Sequence, residues 1–245
     1  MERRITDIHM HVVPKVDDGA VDMTMALDML QMAYDQGARD IFCTSHNAYD
    51  SNEINRYRSQ LTMLRVMAKS KFPDLVLHAG CELLCSGNYV DDILHGLESG
   101  IYLPLGNSKY VLTEFYTDTT PTEAKKIVSK MIEAGWNPIL AHAERYPNLF
   151  DGRTIQDLVA FGAKIQINLY SLKEERRADT KERARYLVTN QLAHFVGSDA
   201  HRSTHRPPKY DGGVRFLYDN CDQDYADAIC YKNASDLLTG MVEYQ

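Results

Sequence analysis

The chain has 245 residues, 44% hydrophobic and 25% charged, enough to bury a full core as one domain over residues 1–245. Its formal net charge of -7, with basic residues scattered apart from pairs such as Lys125-Lys126 and Arg176-Arg177, argues against a nucleic-acid surface. No apolar run is long enough to cross or insert into a membrane, and no export segment is expected; five irregularly spaced cysteines without a Cys-x-x-Cys pair fit reduced, buried thiols in a cytoplasmic protein.

Along the chain, apolar strand-like runs alternate with amphipathic stretches in βαβα order. Strands are predicted at Ile5–Val12, Asp40–Thr44, Leu75–Leu83, Tyr110–Glu114, Pro138–Ala141, Lys164–Asn168 and His194–Gly197. Between the first two, "MTMALDMLQMAYDQG" has helical spacing and stops at Gly37, and its Met25, Met29 and Met32 stripe reads as core. Further on, "TPTEAKKIVSKMIEAG" opens with a capping pattern and closes at Gly135. There is no internal repeat or linker. Seven strands, each followed by a helix, predict a closed or nearly closed parallel βα barrel, and what favours the barrel over an open sheet is where the polar residues fall.

They fall at strand ends. "DIHMH" places His9 and His11 on one face by period-two alternation, and "DIFCTSH" ends at His46. "LVLHAGCELL" carries Glu82, "YVLTEF" carries Glu114, "LAHAER" gives His142, Glu144 and Arg145, and "GSDAH" gives Asp199 and His201. One histidine after an apolar strand is ordinarily a hydrogen-bonded structural residue. Six of seven strand ends converging on one mouth are different, because buried charge needs pairing or metal. The mixed imidazole and carboxylate set suits manganese, iron or zinc better than calcium or magnesium, and about nine donors exceed one tetrahedral ion, so two or three divalent metals are implied. Glu82 and Asp199, with two oxygens each, suit bridging. Such a cluster can activate water at neutral pH and neutralise both oxygens of an in-line phosphoryl displacement.

The other histidines carry less. His78 lies on the face of Glu82 but deeper, His95 sits in a helix or turn, and His194 opens a strand at the opposite barrel end; His205, in the loop "HRSTHRPPKY", is left open. Arg145 and Arg206 follow site histidines, and their guanidinium forks match an anionic phosphoryl group.

The pieces "DIHMH", "DDG", "TSH", "GCEL", "TEF", "AHAER" and "GSDAH", with "RPP" following, occur in the order found in the polymerase and histidinol phosphatase (PHP) superfamily. More narrowly, the chain resembles the bacterial capsule and exopolysaccharide tyrosine phosphatases of the CpsB/CapC/YwqE type. The resemblance implies a distorted (β/α)7 PHP-type barrel holding three metals, usually manganese, with iron, zinc or magnesium as alternatives. It implies removal of phosphate from tyrosines on the tail of a partner bacterial autokinase. His9, His11, Glu82 and Asp199 match its first metal site; Glu82, Glu114 and His142 match the second; Asp18, His46 and His201 match the third, with Asp17 a neighbour. Arg145 and Arg206 match the phosphate-holding arginines. A metal or a protonated His201 is a candidate for assisting the leaving group. Glu114 is typical of the capsule branch, where other superfamily members carry histidine. Ala20 stands where proline is common, and Asn47 where a basic residue is common, so Asn47 is a candidate substrate contact.

A cysteine-based tyrosine phosphatase needs Cys-x5-Arg. The sixth residues after the five cysteines are Tyr49, Gly87, Asp91, Asp227 and Asp236, and no nucleoside triphosphate loop is present. The alternatives are a small-molecule phosphatase of the histidinol phosphate type and a non-catalytic metal-binding regulatory subunit; a polymerase-associated exonuclease fits poorly with the negative charge. A homo-oligomer is left open. Tyr49, Tyr57 and Tyr244 read as exposed tyrosines open to modification.

Overall fold

In the computed structural model, which describes residues 4–46, 50–173 and 178–238, the alternating pattern folds into a seven-stranded parallel sheet. The strands are β1 (Ile5–Met10), β2 (Ala38–His46), β3 (Val76–Cys85), β4 (Tyr110–Phe115), β5 (Asn137–Leu140), β6 (Lys164–Asn168) and β7 (Phe195–Gly197), paired in chain order. Each is followed by a helix: α1 (Met23–Asp35), α2 (Ser51–Lys71), α3 (Val90–Ser99), α4 (Pro121–Glu133), α5 (Thr154–Phe161), α6 (Ala178–Thr189) and α7 (Asp211–Asn220). All seven predicted strands form, with ends displaced by up to two residues. Beyond β7 the chain returns to β1: Asp199 N–H donates to the His9 carbonyl at 2.7 Å and His11 N–H to the Ala200 carbonyl at 2.9 Å, which nearly closes the barrel.

Local chemistry explains the helix limits. Asp22 accepts a hydrogen bond from Met25 N–H and caps α1; Thr120 does the same for Glu123 N–H at α4, with Pro121 in the first turn. Gly135, at φ 82°, takes the left-handed conformation that ends the α4 segment. In α1 the buried face is Ala26, Leu27, Met29, Leu30 and Ala33, with Met25 only partly buried. The expected methionine stripe is therefore a core face at Met29 and a flank at Met25 and Met32, because the helix turns its 26/29/30/33 row to the sheet. Tyr57, expected at the surface, is buried: its hydroxyl donates to the Cys43 carbonyl at 2.6 Å and accepts from Gly80 N–H at 3.0 Å. Tyr49 and Tyr244 lie outside the described residues.

Ile8, Phe42, Leu112, Ile139 and Phe195 form an apolar layer with Ala234 and Leu237 of the C-terminal segment. Phe42, Leu112 and Phe195 share alternation parity with His46, Glu114 and Asp199, so this layer is the floor beneath the polar end of the barrel. His78 belongs to that deeper level, stacked on Phe42 with centroids 4.7 Å apart and hydrogen-bonded to Asp40 at 2.8 Å. His95 lies within α3, as expected.

His194, just before β7, accepts from Ile165 N–H through Nδ1, and burial together with Lys164 pushes its pKa down to about 4. The unfolded chain takes up a proton near pH 6.5 that the folded chain refuses until about pH 4, so stability falls as pH drops through that window. About 2 kcal/mol should be lost between pH 8 and pH 5 from this residue. Urea titrations of wild type and His194→Asn check it: the variant should show a shallower pH slope, and equal slopes would refute the assignment.

Candidate active site

The β1 histidines are oriented from behind. Gln166 Oε1 accepts the His142 backbone N–H at 2.7 Å, which fixes that atom as the oxygen; His9 Nδ1, 3.2 Å from it, therefore carries the ring hydrogen. Asp17 accepts from His11 Nδ1 at 2.8 Å, Gly19 N–H at 3.0 Å and His46 N–H at 3.1 Å. Burial opposes its charge, but these donors outweigh burial and hold it at about 2. Both Nε2 atoms thus face the barrel centre, 3.2 Å apart, each 3.2 Å from a Glu82 oxygen and 3.6 Å from Asp199 Oδ1. Gly19 makes this arrangement of the "DDG" loop feasible, since an added Cβ would lie 2.1 Å from the His11 carbonyl oxygen.

The remaining donors complete a continuous cluster. His142 Nε2 is 2.9 Å from Glu82 Oε1 and 3.4 Å from Glu114 Oε1. His46 approaches Glu82 at 3.4 Å and Asp18 at 3.5 Å, and His201 Nε2 is 3.4 Å from Asp18. Among the described residues, four groups have donor atoms within 4.8 Å of one another: His11, Asp18, His46 and His201; His9, His11 and Asp199; His9, Glu82 and His142; His46, Glu82 and Glu114. That span is close to twice the ~2.1 Å length of a metal–ligand bond. The groups contain all nine residues expected from the sequence, with His11 belonging also to the outer group. Imidazole nitrogens and carboxylate oxygens facing one another fit divalent cations, which bind neutral imidazole and ionised carboxylate in place of ring protons.

Two guanidinium groups edge the cluster. Arg145 pairs with Asp199 Oδ2 at 2.6 Å and donates to the Tyr170 hydroxyl at 2.6 Å; Arg206 pairs with the same Asp199 oxygen at 2.5 Å and donates to His201 Nε2 at 3.1 Å. Burial disfavours the Asp199 charge, yet Arg145, His9 and His142 outweigh it and keep the carboxyl far below its usual range. His201 Nδ1 lies 3.0 Å from the Asp199 carbonyl, so it is the donor, and Nε2 accepts from Arg206. Burial and the nearby His11 push His201 down to about 4, so the imidazole is neutral around pH 7. His201 stands in the outer group with His11, Asp18 and His46, and beside Arg206.

His142, Asp199 and Arg206 all have positive φ, at 32°, 51° and 55°. Three functional candidates in a region that side chains other than glycine avoid mark a site where the fold imposes strain. His205 lines the adjoining cleft with Arg206. Asn47 lies outside the described residues. Among the cysteines, Cys43, Cys81 and Cys85 are each pushed up to about 12 by burial, which leaves them protonated thiols.

Residues 5–239 match the family described as "Capsular polysaccharide synthesis, CpsB/CapC". The chain belongs to the CpsB/CapC family. It is 30% identical over 241 residues to the tyrosine-protein phosphatase CpsB of Streptococcus agalactiae serotype III (strain NEM316), covering 95% of this chain and 97% of that one. It is 34% identical over 199 residues to the tyrosine-protein phosphatase YwqE of Bacillus subtilis (strain 168), covering 80% and 76% respectively. A solved structure from work on YwqE of Bacillus subtilis and CpsB of Streptococcus pneumoniae, described as unique metal-dependent tyrosine phosphatases, superposes with a TM-score of 0.85 at 28% identity, covering 97% of this chain and 96% of that chain. The phosphotriesterase of Mycobacterium tuberculosis, at TM-score 0.57 and 10% identity, shares the fold alone.

Several residues that organise the CpsB/CapC site are not titratable and escaped the sequence reading. Gln166 holds His9 and the His142 backbone; it also donates to Asn168 Oδ1 at 2.9 Å, and Asn168 Nδ2 donates to Asp199 Oδ2 at 3.1 Å. Both come from β6, whose end carries no acid or imidazole, and their shared parity in "KIQIN" was the available signal. Glu144, grouped with the ligands by sequence position, instead accepts from Ser171 Oγ at 2.7 Å and Asn168 N–H at 3.2 Å, bracing the turn behind Arg145. Gln166→Leu should weaken metal affinity by about 10–100-fold while Gln166→Glu, which keeps an acceptor, should lose far less. Calorimetric metal titration of the two variants measures this, and equal losses would show that the acceptor is irrelevant.

Proposed function

We propose that this chain is a metal-dependent protein-tyrosine phosphatase acting on phosphotyrosines in the tail of a bacterial autokinase that governs capsule or exopolysaccharide synthesis in the cytoplasm. The observation that carries the reading is the pair of inward-facing Nε2 atoms 3.2 Å apart beside Glu82 and Asp199, with Arg145 and Arg206 at the same edge. His9, His11, Glu82 and Asp199 would hold one ion, Glu82, Glu114 and His142 a second, and Asp18, His46 and His201 a third. Manganese is the first choice, with iron, zinc or magnesium as substitutes. Bound there, divalent ions supply an activated water and positive charge for phosphoryl transfer. Relatives named tyrosine-protein phosphatases, and the barrel they share with this chain, support the same reading. No helix among the described residues is long and apolar enough to cross a membrane, which is compatible with a cytoplasmic place.

The chain's own residues do the rest. Arg145 and Arg206, each 28% exposed, present N–H donors from the buried Asp199 towards the open cleft, where they can grip two phosphoryl oxygens and neutralise charge that grows in the transition state. Tyr170 fixes the Arg145 fork. A tyrosine phenolate, with a pKa of about 10, leaves more readily than an alkoxide and needs less proton donation. That suits a site whose histidine nearest the arginines, His201, is neutral.

Hydrolysis of a phosphotyrosine peptide and of histidinol phosphate by the purified protein, metal-stripped and then manganese-supplied, tests this, with vanadate and chelator controls. Manganese-dependent preference for the peptide is expected. Preference for histidinol phosphate would move the assignment to a small-molecule phosphatase, and turnover of neither to a non-catalytic metal-binding subunit.

A further inference from the structure

Beside the two arginines lies a cleft of about 1000 Å³. Ligand pockets span roughly 300–1000 Å³, so this one is at the large end, with room for residues flanking a phosphotyrosine as well as its ring. Among the described residues its walls carry the cationic side chains of Arg145, Lys181, Arg183 and Arg206, together with Lys209, against the carboxylate of Asp179. In a chain of net charge -7 that concentration is local and opposite in sign to the whole. Arg145 and Arg206 suffice for one phosphoryl group. Arg183 is committed to the wall, donating to the Glu144 carbonyl at 2.7 Å and lying over the Phe150 ring. Lys181, on the first turn of α6, is half-buried, and no carboxylate among the described residues pairs with it. A lysine held in a cleft with no acceptor among the described residues is placed to meet an anion from outside.

Resting on the phosphatase reading, we infer that this wall is a second anion subsite, centred on Lys181, that recognises a carboxylate or a further phosphate a few residues from the phosphotyrosine. The site would then select acidic phosphotyrosine segments over neutral ones by electrostatic complementarity, an effect that weakens with salt.

Three phosphotyrosine peptides, carrying glutamate, glutamine or phosphoserine at the second to fourth positions on either side, decide it with the manganese-supplied protein. At low ionic strength kcat/KM should be about fivefold higher for the glutamate peptide than for the glutamine one, mainly through KM. The phosphoserine peptide shows whether phosphate serves better than carboxylate. In Lys181→Ala the ratio should fall towards one, and Lys181→Arg should restore it. Equal kcat/KM for acidic and neutral peptides in wild type overturns the subsite, as does a preference that survives in Lys181→Ala. If no peptide is turned over, the phosphatase reading fails separately. Binding of the same peptides then decides the subsite, with tighter acidic-peptide binding supporting it and equal affinities overturning it.

Discussion

Replacing Arg206 by alanine should lower kcat for a phosphotyrosine peptide by about 10²–10³-fold, the usual cost of removing one preorganised donor to transition-state charge. Arg145→Ala should do about as much, because both forks are held from two sides, Arg145 by Asp199 and Tyr170 and Arg206 by Asp199 and His201. Lysine at either position keeps the charge but loses the fork, so it should recover only part of the loss. Metal content separates this role from a structural one. Both guanidinium groups pair with Asp199 Oδ2, while Oδ1 faces His9 and His11, so the arginines leave free the oxygen turned to the candidate metal cluster. Metal stoichiometry in the alanine variants should therefore stay at the wild-type level while kcat falls. A parallel loss of metal and activity would show that the arginines hold the site together rather than the substrate.

The fold and the clustering of acids and imidazoles were legible for a shared reason: βα alternation writes itself in hydropathy, and a barrel that does chemistry places acids and imidazoles at strand ends. His9, His46, Glu82, Glu114 and Asp199 could all be found by looking at the last inward position of an apolar run. What stayed hidden is carried by neutral polar groups and by backbone shape. Gln166 and Asn168 have no titratable atom, yet they set the tautomer of His9 and steady Asp199. Their role depends on the His142 backbone N–H, twenty-four residues away in sequence, which no local pattern encodes. Glu144 misled for the converse reason. It follows a site histidine by two, but β5 has already ended and the positive φ of His142 turns the chain, so Glu144 points to Ser171 and Asn168 instead of the centre. Tyr57 looked exposed from the sequence, yet Cys43 and Gly80 offer its hydroxyl an acceptor and a donor beneath α2.

The largest effect is expected from the buried ligands. Asp199→Ala should reduce phosphotyrosine turnover by about 10³-fold or more, several kcal/mol of lost charge stabilisation, together with a fall in bound metal. Asp199 and His9 are almost fully buried, so no water or neighbouring side chain can replace the missing donor without rearrangement, and His9→Ala should behave alike. Asp18 is different: its side chain is 64% exposed and meets only the outer group, so Asp18→Ala should cost about 10–100-fold and no more than one ion. Acidity should act in the same direction as the buried substitutions. Burial and Arg145 disfavour a proton on His142, but Glu114 and Glu82 outweigh them and push it up to about 9; Asp17 and Glu82 likewise raise His11 against its burial. Metal must displace protons from these rings, so affinity should strengthen as pH rises towards 9, by about tenfold per unit for each proton released. Metal analysis after gel filtration at pH 6, 7 and 8, run for wild type, Asp199→Ala and Asp18→Ala, gives both readouts. Near-normal activity in Asp199→Ala, or a metal content that rises as pH falls, would remove the metal centre from the account of this chain.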